Sequence, residues 1–140
     1  MKKKVTICGK EYELVSNAWA KVMYHKEYGT GIMEDIGKLQ DYNIEQEKLN
    51  KELEGKSEVE QEQARNKLLM NEFDKIIDIP LQLAYVFIKC GNKDFTNYQE
   101  WLSSIDELDY DWIGEVTEMA VNTFCGQRAF GAVETTQNKE

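Results

Sequence analysis

The sequence predicts a mainly α-helical (α+β) protein, in which an N-terminal β-hairpin precedes a compact bundle of about five to six helices. Apolar residues recur at helical spacing over most of the chain after residue 16. Alternation of apolar and polar residues is confined to the first 15 positions. The length of 140 residues, with 41% hydrophobic and 31% charged residues, suits one domain with one core. We therefore expect a single helical domain over residues 1–127 and a loose tail over 128–140.

The hairpin is predicted from two short alternating runs, Val5–Ile7 and Tyr12–Leu14, on either side of Gly9-Lys10. Glycine in the first position favours a two-residue type II′ turn. Because an isolated hairpin is only marginally stable, we expect it to pack on the helices or to pair with the edge of another chain.

A first helix is predicted to begin at Ser16 or Asn17, whose side chains can cap it, and to end at Gly29. One face of this helix carries Trp19, Val22, Met23 and Lys26. The lysine can lay its aliphatic stem along the apolar stripe of that face.

A second helix is predicted from about Met33, with Ile36 and Leu39 directed inward. Residues 43–67 are dominated by Glu, Gln, Lys and Asn, with sparse apolar positions that keep no heptad. This composition predicts a charged helical insertion that is broken at residues 55–57 and either protrudes into solvent or is partly mobile. An exposed charged helix is favoured there over a coiled-coil partner site.

A strong apolar face returns at Leu68, Leu69, Phe73, Ile76 and Ile77. A new helix is predicted after it, from Pro80 to Lys89, and this helix is apolar nearly all round, which places it in the centre of the core. Proline cannot continue a helix without the loss of one hydrogen bond, so we expect a break at Asp78-Ile79. Gly91 and Asn92 are predicted to end this helix.

Two short amphipathic helices are predicted between residues 95 and 124. Their inner faces are formed by Tyr98, Trp101, Leu102, Ile105, Trp112, Ile113, Val116, Ala120 and Phe124. No Lys or Arg occurs from Asp94 to Gln127, so the outer faces are strongly acidic. The pair therefore predicts an interaction surface rather than an active site.

Local signals predict the ends of these two helices. Thr96 and Gln99 have the spacing of a capping box, and Asp109 or Asp111 can begin the second helix. Gly126 is placed to end it. Gly114 conflicts with a helix interior, which close packing against another element or a helix start after this residue would explain.

No catalytic, cofactor or metal site is predicted. His25 is the only histidine, and no cysteine pair or serine elbow accompanies it, so zinc binding and triad catalysis are disfavoured. An acidic run at 106–111 approaches a calcium loop, but Ile113 and Ala120 stand where oxygen ligands belong. The expectation is a protein that is not an enzyme.

Charge and hydropathy exclude further classes of function. The net charge of −9 argues against binding to nucleic acid, because phosphate contacts require clustered cations. The longest apolar run, residues 79–88, is too short to span a membrane. Three scattered cysteines, Cys8, Cys90 and Cys125, indicate reduced thiols and hence a cytoplasmic location.

The three tryptophans are the strongest candidates for contacts with a partner, because Trp is enriched in binding hot spots. Core packing is the favoured interpretation for each of them, and interface contact is second. Our hypothesis is that faces of the acidic pair contribute to an apolar partner-binding groove, with contacts from Trp101, Leu102, Trp112 and Ile113.

The order of these features resembles the tail assembly chaperones of long-tailed (siphovirus-type) bacteriophages or prophages. The resemblance depends on the hairpin VTICGKEYELV, the first helix ending in EYG, the helix PLQLAYVFIKCG and the acidic pair that begins YQEWLSSIDELDYDW. It implies a helical, non-enzymatic protein of the bacterial host cytoplasm. The partners it implies are the tape measure protein and the tail tube protein, and self-association is compatible with it.

Two other functions stay open. An acidic DNA-mimic-like inhibitor or regulatory binding protein would also use the lysine-free run, and salt would displace it from its target. A small structural adaptor of the virion is the second alternative, which mass spectrometry of purified particles would detect.

Overall fold

The computed structural model describes residues 1–125, and in this range an N-terminal antiparallel hairpin is followed by five α-helices. The elements are β1 (Lys2–Ile7), β2 (Lys10–Val15), α1 (Ala18–Tyr28), α2 (Ile32–Glu52), α3 (Glu58–Gly91), α4 (Tyr98–Ser103), α5 (Ile113–Ala120) and a π-helical turn (Val121–Cys125). The predicted fold class is confirmed. The expected helix end at Gly126 and the expected tail over 128–140 lie outside the described residues, and the predicted domain limits stay a prediction.

The turn of the hairpin is one residue earlier than predicted. Ile7 pairs with Lys10, so the two turn residues are Cys8 and Gly9, with φ of 50° and 85°. Positive φ at both positions is typical of a type I′ turn, not of the predicted type II′ turn. The predicted register would place Ser16 and Asn17 opposite Lys3 and Lys2, whereas Asn17 is needed to cap α1.

Helix α1 begins and ends where the sequence predicts. The side-chain oxygen of Asn17 accepts hydrogen bonds from the backbone amides of Trp19 at 3.0 Å and Ala20 at 3.2 Å. Gly29 ends the helix in the left-handed conformation, with φ of 76°. Glycine adopts this conformation at no steric cost, which explains the residue at this position.

The charged segment 43–67 forms the end of α2, a turn and the start of α3, so it belongs to an antiparallel helical hairpin. The predicted break at residues 55–57 is confirmed, with Gly55 at φ 83°. Ser57 caps α3: its hydroxyl accepts a hydrogen bond from the Glu60 backbone amide at 3.2 Å and donates one to the Glu60 carboxylate at 3.1 Å. Most side chains in this segment are exposed, while Leu53 is buried at the turn.

Helix α3 runs without a break through Pro80, so the predicted interruption at Asp78-Ile79 is wrong. Proline in a helix interior costs about 3 kcal/mol, since one backbone hydrogen bond is lost. Burial on all sides offsets this cost: Pro80 and most residues from Ile77 to Ile88 are buried. The helix contacts β2, α1, α2 and α5 and is therefore the centre of the core, as predicted.

The N-cap of helix α4 lies one residue later than predicted. Asn97, not Thr96, is the N-cap, and its side chain exchanges two hydrogen bonds with Glu100, each of 2.8 Å. The asparagine side chain makes both contacts because its amide can donate and accept; it thus differs from a capping box, in which the backbone amide of the cap residue is the second donor.

Helix α5 begins at Ile113, and its N-cap residue Trp112 makes no side-chain capping bond. Asp109, a predicted start, instead accepts a hydrogen bond from the backbone amide of Cys8 at 3.3 Å, which ties this loop to the hairpin. Gly114 stands in the first turn, and a Cβ there would meet no atom within 4 Å. Neither close packing nor a later helix start therefore explains this glycine.

Candidate partner-binding surface

Two of the four predicted partner-binding residues lie in the core. Trp101 and Trp112 are each 1% exposed, while Leu102 and Ile113 are half-buried beside them. The indole of Trp101 donates to the Tyr12 hydroxyl at 3.2 Å, and that of Trp112 donates to the Asp109 carbonyl at 2.7 Å. Both rings thus have their polar and apolar contacts inside this chain. A partner could reach them only if the core opened, and their predicted role stays a prediction.

The exposed tryptophan is Trp19, which keeps 55% of its surface accessible. Helix α1 packs on the rest of the protein through Ala20 and Tyr24, both fully buried. Val22, 40% exposed, lies two positions before Tyr24 and hence about 200° around the helix, on the opposite side. The four residues that the sequence places on one face of this helix therefore border solvent.

Trp19 borders a shallow cavity of about 310 Å³ between α1 and the end of α3, lined by Trp19, Met23, Lys89, Cys90 and Lys93. The Cys90 thiol lies 3.8 Å from the Met23 sulfur. Burial raises the pKa of this thiol, so it stays neutral and contributes apolar surface. We call these five residues, with Val22 and Lys26 next to them on α1, the Trp19 surface.

The charge of the Trp19 surface is opposite to that of the whole protein. Its three charged residues, Lys26, Lys89 and Lys93, are all cations in a chain of net charge −9. The Lys26 ammonium lies 5.5 Å from the centre of the Trp19 ring, a cation–π distance. In the part of the chain that the structure describes, the ion pairs involve Lys3, Lys38 and Lys75, and none involves these three lysines.

A buried polar network holds α1 in the position that exposes Trp19. The Tyr24 hydroxyl lies 2.6 Å from the carboxylate of Asp35, which is 3% exposed, and 2.9 Å from the side chain of Gln82. The Thr30 hydroxyl donates to the same carboxylate oxygen at 2.8 Å. Burial, and then the bond to Asp35, raises the pKa of Tyr24, so its phenol keeps the proton that it donates.

A second cavity, of about 270 Å³, lies beside this network and is lined by Tyr28, Thr30, Asp35, Lys38, Asp74, Lys75, Asp78, Ile79 and Gln82. Its buried carboxylate is engaged through both oxygens: Oδ2 accepts the two hydroxyl bonds, and Oδ1, which makes no hydrogen bond, is paired with the Lys38 ammonium at 3.3 Å. We therefore assign Asp35 a role in joining α1, α2 and α3 rather than in binding a ligand.

Residues 1–125 show no group of three or more His, Cys, Asp or Glu side chains arranged to hold a metal ion. Within the same range, no helix is both long and apolar enough to cross a membrane. His25 lies exposed near the end of α1.

Sequence reasoning missed Lys89, Cys90 and Lys93 as part of this surface. They lie about seventy residues after Trp19, and only the packing of α1 against α3 brings them beside it. No local sequence pattern in either helix predicts that contact.

Comparison of this chain with known proteins gives no match to a family model, to a curated protein or to a solved structure.

Proposed function

We propose that the protein is a non-enzymatic tail assembly chaperone, which binds the tape measure protein of a long-tailed phage or prophage in the host cytoplasm. The observation that carries the proposal is the exposed indole of Trp19 above an apolar cavity. Tryptophan is costly to leave in water and is enriched at the centres of binding interfaces. Its exposure beside an otherwise sealed core favours contact with another protein.

The charge of the protein suits this role. A tape measure protein is a long helical chain, and its exposed apolar stripes would associate with one another before the tail tube encloses them. A bound chaperone with a net charge of −9 covers such a stripe and keeps neighbouring complexes apart by repulsion. Contact with the tail tube protein belongs to the same proposal.

The acidic inhibitor is the rival that one further observation favours. Leu108 and Tyr110 are 42% and 49% exposed, and acidic residues precede and follow each of them along the chain. An inhibitor would bind a basic target through this loop and not through Trp19. Substitution of Trp19 therefore separates the two functions.

Co-expression with the tape measure protein of the same phage or prophage tests the proposal. The wild-type chain should keep the tape measure protein soluble and co-purify with it. Trp19→Ser should reduce the amount recovered about tenfold or more, because loss of a hot-spot side chain weakens binding by about 2 kcal/mol or more and each ~1.4 kcal/mol is a factor of ten in affinity.

Val59→Ser is the matched control, since Val59 is 63% exposed at the far end of the helical hairpin. It should leave recovery unchanged. Equal recovery with wild-type, Trp19→Ser and Val59→Ser chains would count against the Trp19 surface. Failure of the wild-type chain to solubilise or retain the tape measure protein would remove the proposed function itself.

A further inference from the structure

We infer that the Trp19 surface binds an acidic amphipathic helix, in which carboxylates flank an apolar stripe. The inference rests on the proposed function, since the helix is taken to be a segment of the protein that this chain covers. It adds the chemistry of that segment, which follows from the composition and charge of the surface.

The apolar part of the surface sets the first requirement. The Trp19 ring, the Met23 thioether and the neutral Cys90 thiol are all uncharged, and the cavity that they line is about 310 Å³. This volume is at the low end of the range for ligand pockets, about 300–1,000 Å³, and suits one large apolar side chain better than a cofactor. An apolar residue projecting from a helix meets this requirement.

The rim of the surface sets the second requirement. Lys26 stands on α1, and Lys89 and Lys93 stand at and beyond the end of α3, so both elements bordering the cavity carry positive charge. The Lys89 ammonium donates to the Phe95 carbonyl, which fixes its position without neutralising its charge. Carboxylates beside the bound apolar residue would meet these cations, whereas a basic segment would be repelled here.

A second copy of this chain is the competing occupant, because its exposed Leu108 and Tyr110 also lie among carboxylates. The tape measure segment is the assigned occupant, because residues 104–112 of a second copy form a loop between α4 and α5 and not a helix. A second copy on this surface is an outcome that would contradict the assignment.

The test uses fluorescein-labelled 20-residue peptides that tile the tape measure protein, titrated with the full-length chain and followed by fluorescence anisotropy. The peptides that bind most tightly should carry acidic residues on both sides of an apolar stripe. Lys26→Glu/Lys93→Glu should weaken their binding at least tenfold. Lys89 is left unchanged because its bond to Phe95 supports the local structure.

The control variant is Lys48→Glu/Lys67→Glu, which alters two exposed lysines of the helical hairpin and has the same net charge. Its affinity should stay within twofold of the wild type. Peptides in which the flanking acids are replaced by Lys should regain affinity for Lys26→Glu/Lys93→Glu, a rescue that a general loss of structure cannot produce.

The outcomes are distinguishable. If no peptide binds the wild-type chain, the proposed function fails and the inference fails with it. If peptides bind but the two double variants lose affinity equally, or if basic peptides bind best, only the inference is overturned. A second copy would be the occupant if sedimentation equilibrium shows that the wild-type chain self-associates, that Lys26→Glu/Lys93→Glu abolishes the self-association, and that the peptides do not compete with it. That result would also overturn the inference.

Discussion

Replacement of Trp112 by Ala is expected to lower the free energy of unfolding by about 3–5 kcal/mol, the range for large-to-small changes of aromatic residues in cores. The Trp112 side chain is 1% exposed, and its indole donates a 2.7 Å hydrogen bond to the Asp109 carbonyl. The substitution leaves a cavity and an unpaired carbonyl together. Because small domains are stable by only about 5–15 kcal/mol, urea denaturation should show a markedly lower midpoint.

Trp19→Ala is the matched comparison, since it removes the same side chain from a position that is 55% exposed. Its effect on unfolding should be within about 0.5 kcal/mol, as for most surface substitutions. For partner binding the order should be reversed, with a larger loss of affinity in Trp19→Ala than in Trp112→Ala. A loss of stability in Trp19→Ala as large as that in Trp112→Ala would contradict the assignment of Trp19 to a binding surface.

The second large effect is expected at Asp35, where replacement by Ala should cost about 3 kcal/mol of stability. Each buried polar group that loses its hydrogen-bond partner carries a desolvation penalty of about 1–3 kcal/mol. Here the Tyr24 and Thr30 hydroxyls both lose the carboxylate oxygen that they share, and Tyr24 keeps only the Gln82 side chain, 2.9 Å away. The Lys38 ammonium contributes less, because its side chain is 42% exposed and water can replace the lost charge.

Asp41→Ala is the control for Asp35→Ala, since Asp41 is an exposed residue of the same helix. It should change the free energy of unfolding by less than about 0.5 kcal/mol. Asp35→Asn keeps one acceptor oxygen but has no charge, so its free energy of unfolding should lie between those of Asp35→Ala and Asp41→Ala. If urea denaturation gives the same stability for Asp35→Ala as for the wild type, the network does not hold α1 in place.

Features with a local chemical signal could be predicted from the sequence. The cap at Asn17, the left-handed stop at Gly29 and the break at residues 55–57 each depend on neighbouring residues only, and all three are present. The hairpin is also predictable, although alternation and the glycine signal place its turn one residue late. Its register depends on the competing use of Asn17 as a helix cap, which alternation alone does not reveal.

Features decided by tertiary packing could not be predicted in this way. The local penalty of Pro80 predicts a break, yet burial of the surrounding apolar residues keeps α3 continuous. Periodicity shows that a helix has an apolar face but does not say what will cover it. In α1 the covered face is the one with Tyr24, because the rest of the protein supplies polar partners for its hydroxyl. These partners are Asp35, 11 residues later in the chain, and Gln82, 58 residues later. The face with Trp19 is left open for the same reason.

The most direct test of the Trp19 surface measures access to its indole with acrylamide, a neutral quencher of tryptophan fluorescence. In the free protein, quenching should come mainly from Trp19, since Trp101 and Trp112 are each 1% exposed. Addition of a saturating tape measure fragment that contains no tryptophan should abolish most of this quenching. Unchanged access to Trp19 in the complex would mean that the partner binds elsewhere and that the account of this surface is wrong.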